Sequence, residues 1–506
     1  MLITFVVLYL AVTITIGLWA ARRVHNARDF LVAGRSLPLY MNVATVFATW
    51  FGAETVLAVS STFLKEGLRG IVADPFGFSL CLILVGLFFA RAFYRMDLLT
   101  IGDFYRKRYG HAAELITSLC ITVSYLGWTS AQMIALGLVF STLSGGAISL
   151  PVGIALGAGC VLVYTLFGGM FSVAFTDLFQ TVIIVLGMLY LAWLLAGMAG
   201  GADVVIAHAL AAGKFDFWPK LETKEVLAFL AAWLTAAIGG IPQQDVFQRV
   251  TSAKDEKTAV RGSLIGGGLY FVFAFVPIFL AYSAFLIDGK LVGALLEADG
   301  NRFQEVLPTL ILQQTPVFAQ VMFFGALLSA ILSTASGAML APTALFTENV
   351  LKRLYPHMSD RQFLLTLRLV LVIFTLAVVS FALASEASIY QMVQNTYKVT
   401  LVSCIVPLAA GVFWKRATAQ GALLSILLGL VTWIGMEAFG ADSVWPPQLA
   451  GLAFSILGMV VGSYASPAPH PHDEHGPHAV HGPAALPRPP AHLAHPPHES
   501  TTGRRT

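Results

Sequence analysis

The chain has 506 residues, of which 57% are hydrophobic and 11% charged, with a mean hydropathy of +0.78. These values lie far outside the range of soluble domains and imply an integral membrane protein. The net charge of +3 carries no nucleic-acid signal, and the four cysteines, Cys81, Cys120, Cys160 and Cys404, sit singly in apolar runs without metal-ligand spacing and read as small packing residues.

A membrane-spanning helix needs about 20 mostly apolar residues. Windows of that length predict about thirteen spans, near 2–20, 38–62, 71–92, 113–143, 149–170, 174–199, 224–247, 262–287, 317–346, 364–384, 388–414, 418–439 and 447–466. The fold class expected is therefore all-α and polytopic. The first span has no positive charge before it and is followed at once by Arg22 and Arg23. A secretory signal has the opposite polarity, so this is an uncleaved span with its N-terminus outside.

The second span reads ATVFATWFGAETVLAV, with Gly52 and then Glu54 at mid-depth. An ionisable group there is costly and faces either a pathway or a partner within the bundle. Asp74 and Pro75 open the third span, where Asp74 lies either at the mouth of a cavity or at the interface. Tyr125, Trp128 and Trp233, with Trp50, lie near the interruptions and either wall a solute pocket, where they can cage a cation, or pack conventionally. FGGMFSVAFTDLFQ places Asp177 at the inner end of the sixth span, as a group on an ion release path or as an N-cap.

The seventh span reads LTAAIGGIPQQDVFQRV, with Gly239, Gly240 and Pro242 followed by Gln243, Gln244 and Asp245. Asp245 and Arg249 stand four apart, the spacing of a plain helix ion pair. In the ninth span LLSAILSTAS gathers Ser329, Ser333, Thr334 and Ser336. Single hydroxyls in such helices bond back to the preceding turn, but Ser333 and Thr334 are adjacent and project about 100° apart, so one packing face cannot use both. Lys398 in the eleventh span is either a buried countercharge for Glu54 or a snorkelling side chain. From about Ser466 the chain is rich in Pro and His and is expected to be a disordered cytoplasmic tail, 466–506, rather than a metal site.

Broken helices are tolerated in a bilayer only where they are buried or line a cavity. The breaks in spans 2 and 7 lie five spans apart, which points to two inverted repeats, about 38–199 and 224–414, within a transmembrane domain 1–465. Of the 30 Lys and Arg, 22 cluster at the ends reached after an odd number of spans. The positive-inside rule then gives N-terminus outside, C-terminus cytoplasmic and an odd number of helices in a plasma (inner) membrane.

DFLVAGRSLP (29–38), ATWFGAET (48–55), LLTIGDFYRKRYG (98–110), LFGGMFSVAFTDLFQ (166–180), FQRVTSAKDEKTA (247–259) and LLSAILSTASGAMLAPTALFTENVLKR (327–353) together resemble the sodium:solute symporter family. ATWFG and GGIPQQDVFQRV look most like its choline-transporter branch, with the proline transporter next. The resemblance implies the leucine-transporter-like fold of five plus five inverted helices. It also implies a sodium ion between the first broken helix and the helix with the Ser-Thr pair, held by the carbonyls of Ala48, Phe51 and Ala330 and the hydroxyls of Ser333 and Thr334. The candidate solute-binding set is Trp50, Glu54, Thr55, Asp74, Trp128, Gln132, Gln243, Gln244 and Gln394. The chain departs from the family after span 2, where LAVSSTF replaces glycines often seen in relatives, and at Asn349, where an acid is common.

The function expected is sodium-coupled symport of a small organic solute: an amino acid such as proline, a quaternary amine such as choline, or a carboxylate. The partners are that solute, sodium as the co-transported ion and the lipid bilayer; no feature sets an oligomeric state. A competing reading is a sodium- or solute-responsive sensor acting through a separate signalling partner. An enzyme is not expected, since no nucleophile–base pair or H-E-x-x-H motif is present and the four histidines before the tail are dispersed.

Overall fold

A bilayer offers the backbone no water to bond, so each spanning amide and carbonyl must find its partner within the protein. The computed structural model meets this demand with helix almost throughout. It describes residues 2–298, 302–440 and 443–467, so the Pro/His-rich tail from Ala468 on lies outside the described residues. Among these the only β-type pairing is a single bridge, Leu37 with Ala253. It ties the loop before the second predicted span to the loop after the seventh, through Leu37 N to Ser252 O and Lys254 N to Leu37 O, each 3.0 Å.

Among the described residues nine helices are long and apolar enough to cross a membrane, or eleven when each of two bent pairs counts as one span. All thirteen windows read from the sequence fall on helical segments. The difference lies where one helical run holds two windows. Leu150–Met198 is 49 residues long, about 74 Å if straight against a hydrocarbon core of about 30 Å. It is interrupted at Gly169 (φ 48°, ψ −138°), which rests on Phe30. Glu54–Arg95 is likewise interrupted at Asp74 (φ −130°, ψ 120°).

Burial separates the centre from the rim. The most apolar window of Val317–Leu354 is 72% buried within the protein, whereas that of Ala419–Phe439 is 22% buried. The serine-rich run is thus the axis of the bundle. At the rim, Ala419–Phe439 and Pro447–Ala465 approach closely through small residues: a Cβ on Gly458 would lie 2.7 Å from the Leu424 carbonyl, and Ser425 and Ser455 share a hydrogen bond of 2.8 Å.

The bend at Gly169 generates a stability prediction. A side chain there would meet Phe30 O at 2.4 Å and hold a positive φ. Gly169→Ala is expected to destabilise the protein by about 1–3 kcal/mol from backbone strain alone, seen as a lower melting temperature of the purified protein in detergent.

Candidate functional site

The first broken helix, Leu39–Trp50, ends where Phe51 leaves the helical region (φ −85°, ψ 81°), and Phe51 N still bonds Phe47 O at 3.0 Å. A wide π-helical turn, Glu54–Val59, follows. Ending the helix frees carbonyls of its last turn. The Ala48 carbonyl accepts from Ser333 Oγ at 2.8 Å and Thr334 Oγ1 at 3.3 Å, and Ser333 Oγ also lies 3.0 Å from Ala330 O. Four neutral oxygens of the expected ion shell therefore converge, all buried. For Phe51 the structure shows only that it closes the helix. Ser329 and Ser336 bond back to Gly325 O and Ser333 O, and Ser329 also meets Tyr9 OH at 2.6 Å.

Gly52 lets the two elements meet, since a Cβ there would stand 2.7 Å from Thr334 Oγ1 and 2.5 Å from Glu54 Oε2. Glu54 accepts from Trp128 Nε1 at 3.1 Å and from Gln132 Nε2 at 2.7 Å, while Gln132 Oε1 accepts the freed amide of Ala53 at 3.1 Å. Gln132 thus repairs the break and orients the carboxylate together.

The second break separates Thr223–Gly239 from Gln244–Thr251, bent by 41°. Its freed Gly239 carbonyl accepts from Thr400 Oγ1 at 2.6 Å, and Gly240 packs between Trp50 and Cys81. Gln243 Nε2 approaches Ser124 Oγ at 3.3 Å and Thr400 Oγ1 at 3.4 Å. Gln244 points elsewhere: its Oε1 accepts the Ile101 amide at 2.8 Å and anchors the helix Ile101–Tyr109.

Asp245 corrects a sequence reading. Its carboxylate accepts from Trp50 Nε1 at 3.2 Å and from Tyr125 OH, and its own amide donates to Tyr125 OH at 2.9 Å. Arg249 makes no side-chain ion pair with it. The guanidinium reaches the Asp245 backbone carbonyl at 3.4 Å and Thr49 Oγ1 at 3.1 Å, packed against Gly337. Four-residue spacing brings two Cβ atoms near each other, but the Asp245 carboxylate turns toward the aromatics while the Arg249 guanidinium meets the Asp245 backbone and the Thr49 hydroxyl.

Between the breaks the aromatics form a cluster. Trp50 lies 5.3 Å from Phe78, 6.2 Å from Trp128 and 5.9 Å from Tyr397, centroid to centroid; Tyr397 lies 5.0 Å from Phe78, and Tyr125 5.9 Å from Trp128. Phe78 and Tyr397 had no distinguishing sequence signal, being two aromatics in spans full of them. Trp233 is outside the cluster, against Phe217 and Phe229.

The remaining candidates lie apart. Asp74 and Thr55 form a separate buried group with Tyr270, another residue the sequence reading passed over. Asp177 is no N-cap: it lies inside Leu150–Met198, past the Gly169 bend, and accepts from Thr45 Oγ1 at 2.5 Å. Gln394 is on Ile389–Ser403 and its Nε2 is buried without a hydrogen-bond partner. Lys398 does not reach Glu54; its Nζ lies 3.4 Å from Glu437. Asn349 joins a buried network, accepting from Thr100 Oγ1 and donating to Asp103 and Glu114.

A profile of the sodium:solute symporter family matches residues 30–429. The chain belongs to that family. It is 25% identical to the high-affinity choline transporter 1 of Caenorhabditis elegans over 85% of this chain and 76% of that protein. It is 26% identical to the human high affinity choline transporter 1 over 85% and 75%. A solved Na+-coupled sialic acid symporter, in a substrate-bound outward-open state, superposes with a TM-score of 0.77 at 20% identity, covering 92% of this chain and 98% of that one. The symporter fold is thus the leucine-transporter-like all-α arrangement, and the family is one of transporters rather than enzymes.

The hydroxyl pair generates a prediction. If Ser333 and Thr334 hold sodium, adding the ion at about a hundred times its dissociation constant stabilises the folded protein by about 2.7 kcal/mol. The purified symporter is expected to melt at a higher temperature in sodium than in potassium, and Ser333→Ala with Thr334→Ala to lose that difference.

Proposed function

We propose that the protein is a sodium-coupled importer of a small organic cation of the quaternary-amine class, with choline as the probe of choice. The observation that carries this reading is the aromatic cluster between the breaks, where the indole N–H of Trp50 is bound by Asp245 and that of Trp128 by Glu54. A carboxylate on an indole N–H leaves the ring face more electron-rich, and such faces attract ammonium groups by about 2 kcal/mol or more when desolvated. Two buried carboxylates beside the rings favour a cation over a carboxylate solute, and a zwitterion such as proline would set its own acid group near them. Choline transporters among the relatives support the same class.

Sodium is assigned to the oxygens of Ala48, Ala330, Ser333 and Thr334, completed by the Phe51 carbonyl. Neutral oxygen ligands suit a hard cation that must leave in each cycle. At 100 mV one charge carries about 2.3 kcal/mol and a tenfold sodium gradient about 1.4 kcal/mol. One sodium ion therefore sustains roughly a 500-fold solute gradient, before the solute's own charge is counted. Two five-helix repeats, about 38–199 and 224–414, would rock around the breaks, with the C-terminus cytoplasmic in the plasma membrane.

Uptake into proteoliposomes tests the reading. Choline is expected to accumulate when sodium is supplied outside and not when potassium replaces it. Trp50→Leu or Trp128→Leu is expected to weaken choline affinity about tenfold, the equivalent of 1.4 kcal/mol. Glu54→Gln is expected to change solute affinity more than sodium affinity. Sodium-driven proline uptake with no choline uptake would overturn the solute class, and sodium-dependent choline binding without any flux would favour the sensor.

A further inference from the structure

Asp74, Thr55 and Tyr270 come from three parts of the chain and are fully buried. Their oxygens close a ring: Tyr270 OH is 2.6 Å from Asp74 Oδ1, Thr55 Oγ1 is 3.0 Å from Asp74 Oδ2, and Thr55 Oγ1 is 3.0 Å from Tyr270 OH. Each contact is at hydrogen-bond length and needs one proton. The two hydroxyls supply one each. With an ionised Asp74 both would donate to the carboxylate, leaving Thr55 and Tyr270 facing each other at 3.0 Å with lone pairs alone.

The charge around the ring points the same way. Arg249 is the one buried Lys or Arg among the described residues, and it is engaged with Thr49 and Asp245. Asp74 makes no ion pair among the described residues. Glu54 faces it from the turn that carries Thr55, and Tyr390 and Tyr397 from Ile389–Ser403. Thr223–Gly239 packs beside Gly77 through Ala236 and Trp233, with its titratable Lys224 and Glu225 in the first turn. Arg69 in the preceding segment is tied to the Trp218 carbonyl at 3.0 Å. Among the described residues this shell offers another acid and phenols, and no base.

We propose that Asp74, with Thr55 and Tyr270, is a proton-binding site, separate from the sodium oxygens and from the aromatic cluster, and that the conformation seen here is its loaded form. The third proton sits on the carboxyl. Asp74 Oδ1–H donates to Tyr270, Tyr270 O–H to Thr55, and Thr55 O–H to Asp74 Oδ2, so three protons serve three contacts and no bond to carbon changes. The proton comes from water when the path is open and returns to water when it reopens. A sodium ion fits the ring less well, because oxygens sharing an ion stand farther apart than oxygens sharing a hydrogen bond.

The decisive measurement needs no solute and so does not depend on the proposed function. Infrared spectra of the purified full chain in lipid, compared in H2O and D2O, are expected to show the C=O stretch of a protonated buried carboxyl. That band should vanish in Asp74→Asn and persist in Glu54→Gln. Tyr270→Phe removes one partner, so the band should stay but shift; this variant serves if Asp74→Asn does not fold. A band unchanged in both ring variants, or one that saturating sodium abolishes in the parent protein, overturns the proposal. In proteoliposomes, sodium-driven choline uptake should depend on pH in the parent and lose most of that dependence in Asp74→Asn. If choline uptake fails but the band behaves as stated, the proton site stands and the solute assignment falls.

Discussion

Everything at the centre of this symporter follows from one constraint: a helix that breaks inside a bilayer must find protein partners for the carbonyls and amides it releases. The first break is met by Ser333 and Thr334 on Ala48 and by Gln132 on Ala53, the second by Thr400 on Gly239. Each repair is made by a side chain from a different helix. The breaks therefore act as knots that draw Val317–Phe346, His111–Leu143 and Ile389–Ser403 to one depth, and polar atoms able to bind an ion or a solute accumulate where the backbone itself demanded them.

Charge is the second constraint. Among the described residues Glu54, Asp74, Asp177 and Asp245 are buried in apolar spans, and Arg249 is the one buried Lys or Arg. An unpaired buried charge costs several kcal/mol, so an ionised acid here needs hydrogen-bond donors or a cation beside it, and an acid without them is better kept protonated, as proposed for Asp74. Glu54 has an indole and an amide, Asp245 an indole and a phenol. A transporter of positive cargo, as proposed here, could hold this imbalance; a purely structural bundle would gain by replacing these acids with apolar residues.

The sequence made the breaks legible because glycine, proline and acids stand out in apolar runs, and it made the hydroxyl pair legible because adjacent Ser333 and Thr334 cannot share one packing face. It was silent on Phe78, Tyr397 and Tyr270, since an aromatic in a span looks the same whether it faces lipid, core or site. It misled at Asp245 and Arg249, where spacing along a helix says which Cβ atoms are near and nothing of where a long side chain goes. Lys398 was open for the same reason, and its partner Glu437 lies on another helix. Gln244 looked like Gln243 in sequence, yet Gln243 is the extended residue that caps the helix and Gln244 its first helical residue, so one side chain goes toward Ser124 and Thr400 and the other to the Ile101 amide.

The closeness of the two proposed sites removes the need for a long path between them. Ala48 and Trp50 are two residues apart at the end of one broken helix, and Gly52 places Thr334 against the stretch that carries Glu54. An ion at the proposed site, on the Ala48 carbonyl and the Ser333 and Thr334 hydroxyls, would fix the backbone from which Trp50 projects, and Trp50 is hydrogen-bonded to Asp245 across the second break. If both proposals hold, sodium would order the aromatic wall before a solute meets it, and a solute that holds the wall together would make the ion harder to release. Linkage requires those two effects to be equal in free energy. The shared element is the end of a broken helix, whose last carbonyls have no helical partners, and it is the part of the span best placed to rearrange without unfolding the rest.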